Sequence, residues 1–236
     1  MPRTASLSIV IPAYNEEARI GKTLAQIRKH VPHAELIVVD DGSSDGTVAL
    51  ARRAGAKVLV NERNRGKGYS VRRGMLAAQG GLILFSDADL STPITELPRF
   101  LSLARDHDVV IGSRSVTGSR VVVHQPLYRE LIGKTFNLLV QVMAVPGIKD
   151  TQCGFKLFSR DAARVFSVCR LDGFSFDVEA LFVARKLGFS IKEEPVEWRN
   201  AAGSKVHPVR DALRMLRDLF VIRWHWMRGR YRKAAR

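Results

Sequence analysis

Five short apolar runs punctuate the first half of the chain: Ser6 to Ile11, Glu35 to Val39, Lys57 to Val60, Leu82 to Phe85 and Asp108 to Gly112. Runs of this length without a polar alternation suit strands covered on both faces, as in a parallel sheet. Between them the apolar positions recur at helical spacing, most clearly at Ile20, Leu24, Ile27 and Val31. Asn15 is placed to cap that helix, with Glu16 and Glu17 in its first turn. Further helices are expected over about 45–54, 69–79, 93–104 and 174–187. An apolar, sparsely charged stretch at 127–145 also reads as helical. Ile191 to Trp198, broken by Pro195, reads as a short edge strand. Strands alternating with helices in this way predict an α/β fold, a doubly wound, mostly parallel central sheet with helices on both faces.

Polar residues gather where the strands end. The second strand runs into Asp40 and Asp41, followed by Gly42, Ser43 and Ser44, and the Leu82 to Phe85 strand runs into Asp87-Ala88-Asp89. Open α/β sheets bind ligands at the carboxyl ends of their strands, so these acids can face one crevice. Asp87 and Asp89 suit a hard cation, Mg²⁺ or Mn²⁺, shared with a diphosphate. They can equally cap a following helix, with Ser91 or Thr92 before Pro93 as N-cap. The loop NERNRGKG at 61–68 fits neither the phosphate-loop nor the dinucleotide glycine pattern. Its glycines still allow close backbone approach, and Arg65 and Lys67 bring positive charge. Tyr14 can stack on a base or simply pack. Arg114 and Arg120 can fork onto a phosphate or serve solubility. Asp150 can point into the crevice as a base or a hydroxyl acceptor, whereas Asp177 and Glu179 read as caps or helix charges.

Length and charge then narrow the partners. With 236 residues the chain has room for one substantial domain, expected over 1–208, and an appended element over 209–236. Cys153 and Cys169 offer neither metal-ligand spacing nor a disulfide framework, which fits a reduced compartment. The first strand begins at once, so no signal peptide is expected, and no uncharged apolar stretch is long enough to span a bilayer. The formal charge is +15, and residues 199–236 hold eleven Lys and Arg against Asp211 and Asp218. In the helix expected from Val209 to about Met227, Leu213, Leu216, Phe220 and Trp224 form an apolar stripe among arginines. That combination suits an anionic membrane surface, or packing on its own domain. No zinc-finger spacing or aromatic RNA-binding pattern supports nucleic acid as a partner. Two classes remain open, an enzyme working at a membrane and a non-catalytic peripheral membrane-binding scaffold. Only the enzyme needs Asp87 and Asp89 together.

The segments IVIPAYNEEARI (9–20), VVDDGSSDGT (38–47), NRGKG (64–68), LFSDADLSTP (84–93), GSR (112–114), DTQCGFKLF (150–158), FDVE (176–179) and GSKV (203–206) resemble family 2 glycosyltransferases of the GT-A fold. Within them the chain is similar to dolichyl-phosphate β-glucosyltransferases and polyprenyl-phosphate sugar synthases, TQCGFKLF and GSKV being the narrower signal. The resemblance implies an inverting transfer of glucose from UDP-glucose onto a dolichyl or undecaprenyl monophosphate, with GDP-mannose or another nucleotide sugar as the alternative donor. It implies a protein peripheral to the cytoplasmic face of a membrane. Pro12, Tyr14, Glu16 and Asp41 would line the nucleoside pocket, with Gly66 and Lys67 near the base and diphosphate. Asp87 would face the ribose or sugar, and Asp89 would hold the metal, with Ser91 a further metal neighbour. Asp150 and Gln152 would approach the sugar, Ser204 and Lys205 would close over the donor phosphates, and Arg114 and Arg120 would receive the lipid phosphate.

Overall fold

The computed structural model describes residues 6–123, 137–199 and 208–231. A seven-stranded sheet runs in the order β3-β2-β1-β4-β7-β5-β8. Its strands are β1 (Leu7–Ala13), β2 (Glu35–Asp40), β3 (Lys57–Val60), β4 (Leu82–Ser86), β5 (Val109–Ser113), β7 (Phe155–Ser159) and β8 (Ile191–Pro195). All neighbours are parallel except β7, which runs antiparallel between β4 and β5. The expected parallel order therefore holds for β1 to β4 and is broken once. The segment DTQCGFKLF supplies the breaking strand, which brings its polar end, Asp150 to Gly154, beside the end of β4.

The helices are α1 (Glu17–His30), α2 (Thr47–Arg53), α3 (Lys67–Ala77), α4 (Leu97–Leu103), α5 (residues 137–143), a single turn α6 (Arg160–Ala163), α7 (Phe176–Lys186) and α8 (Pro208–Met227). They sandwich the sheet, leaving two apolar cores. On one face Ile9, Ile11, Val38, Leu84 and Phe155 meet Ile20, Leu24 and Ile27 of α1 and Phe100 of α4. On the other Val10, Val39, Phe85 and Phe158 meet Val71 and Met75 of α3, Leu181 of α7, and Leu219 and Ile222 of α8. Alternate residues of one strand thus serve opposite cores, as a pleated ribbon requires.

Local expectations shift in physically readable ways. Pro12 does not end β1, because Ala13 O accepts from Asp41 N on the β2 side, and Pro12 faces the other side, beyond the last β1–β4 pair at Val10. Its missing N–H therefore costs no ladder bond. Pro195 closes β8, at the sheet edge, and the chain then enters β9 (Glu197–Arg199), which pairs with β6 (Arg120–Val123) in a small second sheet. Asn15 does not cap α1. It takes a positive φ of 50° and ties the β1 end to the β2 end, its N–H donating to Ser43 Oγ and its Oδ1 accepting from Ser44 N.

The tail is no detached appendage. One face of α8, carrying Met215, Leu219 and Ile222, is buried in the core, and Tyr231 beyond it is fully enclosed. Of the expected stripe, Leu216 packs inward while Leu213, Phe220 and Trp224 stay exposed. The greasy segment at 127–145 is described only from residue 137, where α5 lies beside α8, joined by an Arg223 Nη1 to Met143 O bond of 2.7 Å.

Candidate active site

The carboxyl ends of β1, β2 and β4 and the start of α3 form one edge, and most of the sequence-predicted residues sit along it. Asp87 follows β4 directly. Its N–H donates to Gly154 O at 3.0 Å, and its Oδ1 lies 2.7 Å from Lys67 Nζ. Lys67 opens α3 after Gly66, whose φ of 101° favours glycine. Burial alone would lower the Lys67 pKa, but Asp87, Asp177 and Asp89 outweigh it and hold the ammonium above its usual range. The loop NERNRGKG therefore delivers a fixed positive charge to the strand end that carries D-x-D.

Asp89 is turned differently. Its Oδ1 accepts from Ser91 N at 2.9 Å, closing a tight turn in which Leu90 has a φ of 48°. The helix-cap alternative is not realised: the next helical turn starts at Ile94, and its N-cap Pro93 has no capping side chain. Ser91 is pinned from the far side, Arg199 N donating to its carbonyl at 2.8 Å. Among the described residues no cluster of three or more His, Cys, Asp or Glu side chains makes a self-sufficient metal cage. The donor set is instead hard oxygen from Asp89 and its turn, which fits a small divalent cation that takes its other ligands from a bound diphosphate.

The adjacent acids Asp40 and Asp41 part company, because successive strand residues point to opposite sides. Asp41 Oδ1 accepts from Asn61 Nδ2 at 2.7 Å and Arg65 N at 2.9 Å, and its Oδ2 accepts from Gly66 N at 2.8 Å. Those bonds tie the carboxylate expected to line the nucleoside pocket to the glycine-rich loop, which it shapes. Asp40 Oδ2 accepts from Gly42 and Ser43 N–H groups, while its buried Oδ1 has no hydrogen-bond partner among the described residues. Among the strand-end acids expected to face the crevice, this residue was given no role of its own. The signal lay in the Asp-Asp pair, of which a strand end can offer only one member to each side.

Asp150 and Arg114 bind each other. Asp150 is fully buried, and Arg114 grips it through Nε at 2.7 Å, Nη2 at 2.8 Å and its backbone N–H at 2.9 Å. Burial would raise the Asp150 pKa, but the Arg114 charge and these bonds hold it below the usual carboxylate range. Engaged in this way, the ionised carboxylate holds the guanidinium in place. Its Arg114 partner lies against Trp198, 5.3 Å from the ring centroid, with Nε and Nη2 committed to Asp150. Gln152 donates its N–H to Asp150 Oδ1 at 3.2 Å, and its Nε2 lies 3.8 Å from Met215 Sδ on α8.

Of the remaining expectations, Tyr14 is 37% exposed at the end of β1, as a stacking platform would be. Glu16 pairs with Arg19 Nε at 2.8 Å, and its N–H donates to Thr47 Oγ1 at the start of α2 at 2.8 Å. Pro12 lies in β1. Arg120 starts β6 and is exposed. Ser204 and Lys205 lie outside the described residues. Behind Asp87 and Lys67 sits a second ion pair that sequence reasoning did not assign, Lys156 Nζ 2.6 Å from Asp177 Oδ1, both buried. Burial raises the Asp177 pKa, an effect that Lys156 and Lys67 only partly oppose.

This geometry meets known proteins at both the sequence and the fold level. A dolichyl-phosphate β-glucosyltransferase of Drosophila melanogaster is 38% identical over 97% of this chain and 78% of its own length. Its counterpart from Dictyostelium discoideum is 35% identical over 94% and 75%. Glucosyl-3-phosphoglycerate synthase of Mycobacterium tuberculosis has a similar fold, with a TM-score of 0.70 at 23% identity over 92% of this chain and 79% of that one. The same enzyme in complex with Mn²⁺, UDP-glucose and phosphoglyceric acid aligns with a TM-score of 0.70 at 21% identity, over 96% and 80%. The family description "Glycosyl transferase family 2" matches residues 8–166, a span that holds β1 to β5, both acid-bearing strand ends and the Lys67 loop, and the chain belongs to that family.

Proposed function

We propose that the chain is an inverting, metal-dependent glucosyltransferase that moves glucose from UDP-glucose onto a polyprenyl monophosphate. The observation that carries this reading is that relatives named dolichyl-phosphate β-glucosyltransferase align at 32–38% identity across nearly the whole chain. The site chemistry agrees with it. Asp40 Oδ1 is buried and lacks a donor among the described residues, a costly state that the imide N–H of a pyrimidine would relieve. Tyr14 offers the base a face, and Lys67 offers the diphosphate a fixed charge. Asp89, with the Ser91 turn, is placed to hold Mg²⁺ or Mn²⁺, which when bound would neutralise charge on the leaving diphosphate.

In this mechanism an oxygen of the lipid phosphate forms the new bond to the anomeric carbon as the bond to the UDP β-phosphate breaks, and the electron pair leaves with UDP. The nucleophile is already anionic near neutral pH, so a general base is not required, consistent with the engagement of Asp150 by Arg114. Asp150 fixes the guanidinium, and Arg114 Nη1, with Arg120, receives the acceptor phosphate. Lys67 stabilises charge that develops on the leaving group, and Asp87 keeps its ammonium in place. Ser204 and Lys205 follow from β9, itself tied to Ser91, and are proposed to close over the donor phosphates. We further place the chain peripherally on the cytoplasmic face of a membrane, through the exposed apolar and arginine-rich side of α8.

A donor panel tests the reading. Purified protein, polyprenyl phosphate and Mn²⁺ or Mg²⁺ would be offered radiolabelled UDP-glucose, GDP-mannose and other nucleotide sugars, and the lipid product identified. Glucosyl lipid from UDP-glucose, abolished in Asp89→Ala, is expected. Transfer from GDP-mannose alone, or full activity in Asp89→Ala, overturns the donor or the metal assignment respectively.

A further inference from the structure

Three consecutive contacts run from Tyr231, beyond α8, to the active-site loop. Tyr231, with no exposed surface, donates its hydroxyl to Glu179 Oε1 at 2.7 Å. Glu179, equally buried on α7, uses its other oxygen to accept the backbone N–H groups of Arg170 and Leu171, each at 2.8 Å. The carbonyl two residues beyond Arg170 then holds the start of α3. Asp172 O accepts from Gly68 N at 2.8 Å and from Tyr69 N at 3.3 Å, and Arg72 Nη2 binds the Asp172 carboxylate at 2.7 Å.

The fit of this loop against the glycine-rich loop leaves no slack. A Cβ added at Gly66 would come within 2.4 Å of Asp172 O, and one at Gly68 within 2.4 Å of Leu171 O. Backbone lies directly on backbone on both sides of Lys67, and Lys67 Nζ meets Asp87 at 2.7 Å. Displacing residues 170–172 therefore displaces the ammonium that faces the donor phosphates. A buried carboxylate that loses one of three donors has an incentive to move, because an unsatisfied charged oxygen is expensive in a dry site.

We propose that Glu179 and Tyr231 are positioning residues for Lys67, so that docking of the C-terminal segment sets the glycine-rich loop in its ligand-binding shape. Neither side chain touches the crevice, and the effect runs through the 170–172 backbone. The step from loop shape to donor binding rests on the nucleotide-sugar reading above. The coupling between Tyr231 and the loop does not. His225 joins the same cluster, its Nδ1 3.3 Å from the Tyr231 hydroxyl and its Nε2 3.1 Å from Arg230 Nη1, which completes a polar plug under the tail.

Two measurements on the full chain test this. In the ligand-free protein, amide hydrogen exchange at Gly66 to Tyr69 should rise by about tenfold in Tyr231→Phe, while β1 and β2 keep their protection. By calorimetry with Mn²⁺, UDP should bind about 3- to 10-fold more weakly to Tyr231→Phe, and the same loss should appear in Glu179→Gln without growing in the double variant. Ile27→Val, a core change under the opposite face of the sheet, controls for stability and should leave both readouts unmoved. Unchanged exchange at Gly66 to Tyr69 in Tyr231→Phe, or additive losses in the double variant, overturns the proposal. A wild-type protein that binds no UDP counts against the nucleotide-sugar reading, and the exchange arm still decides this one.

Discussion

Gly154 shows how little room a single side chain has at this site. A Cβ there would lie 2.0 Å from Asp87 Oδ2 and 2.3 Å from its Cγ, so the carboxylate must leave its pairing with Lys67 to admit one methyl. Gly154→Ala is thus expected to reduce transfer by about 10- to 100-fold through misplacement of Asp87, with little change in folding. Activity assays beside circular dichroism check it, and wild-type turnover in a folded variant would mean that the Asp87–Lys67 pair is dispensable. The sequence made Asp87 and Asp89 legible because D-x-D follows an apolar run, and Lys67 legible because it sits between two glycines. It did not disclose that Asp150 and Arg114 bind each other. That pairing depends on β7 running antiparallel between β4 and β5, and periodicity is blind to strand order. The same blindness hid Lys156–Asp177, two residues that share a contact only after β7 and α7 are stacked.

Among the elements, α8 carries the clearest division of labour. Its inner side, Met215, Leu219 and Ile222, is core, and its outer side exposes Leu213, Phe220, Trp224 and Met227 at 65%, 60%, 41% and 74%. Arg228 and Arg230 lie 5.2 and 4.6 Å from the Trp224 ring centroid, and α5 also exposes Leu138 and Val142. A helix apolar on both sides, yet basic at its exposed margin, suits one partner inside the protein and an anionic interface outside. No helix among the described residues is long and apolar enough to cross a membrane. Phe220→Ser with Trp224→Ser should therefore weaken sedimentation with phosphatidylserine vesicles by about tenfold and lower turnover of a long-chain acceptor, leaving UDP affinity intact. Equal vesicle binding in variant and wild type would reject the surface. The amphipathic pattern of this helix was legible in the sequence. What was not legible is that two apolar faces share it, since a single stripe at helical spacing explains either packing or lipid contact.

Across the molecule, buried charge makes stability depend on pH in two opposing senses. Asp150, held below its ordinary value of 3.8 by Arg114 despite burial, adds stability that is fully present above that value and lost as pH falls through the lowered one. Asp177 and Glu179, raised chiefly by burial, work the other way: the folded state binds their protons more tightly, so stability falls as pH rises from the unfolded values of 3.8 and 4.5 through the raised ones. Arg114→Met separates the two. It leaves Asp150 buried without a counter-charge, which should cost about 3–5 kcal/mol at neutral pH, a large share of the roughly 5–15 kcal/mol typical of a folded domain. In the variant the Asp150 pKa moves above its unfolded value, so protonation relieves the penalty, and the gap between wild type and variant should narrow as pH is lowered from 7 to 4. Urea unfolding at both pH values measures that gap, with Arg114→Lys expected between the two because it keeps the charge and loses the fork. A gap independent of pH would show that Arg114 contributes packing against Trp198 rather than charge, and Asp150 would then need another counter-ion in the folded protein.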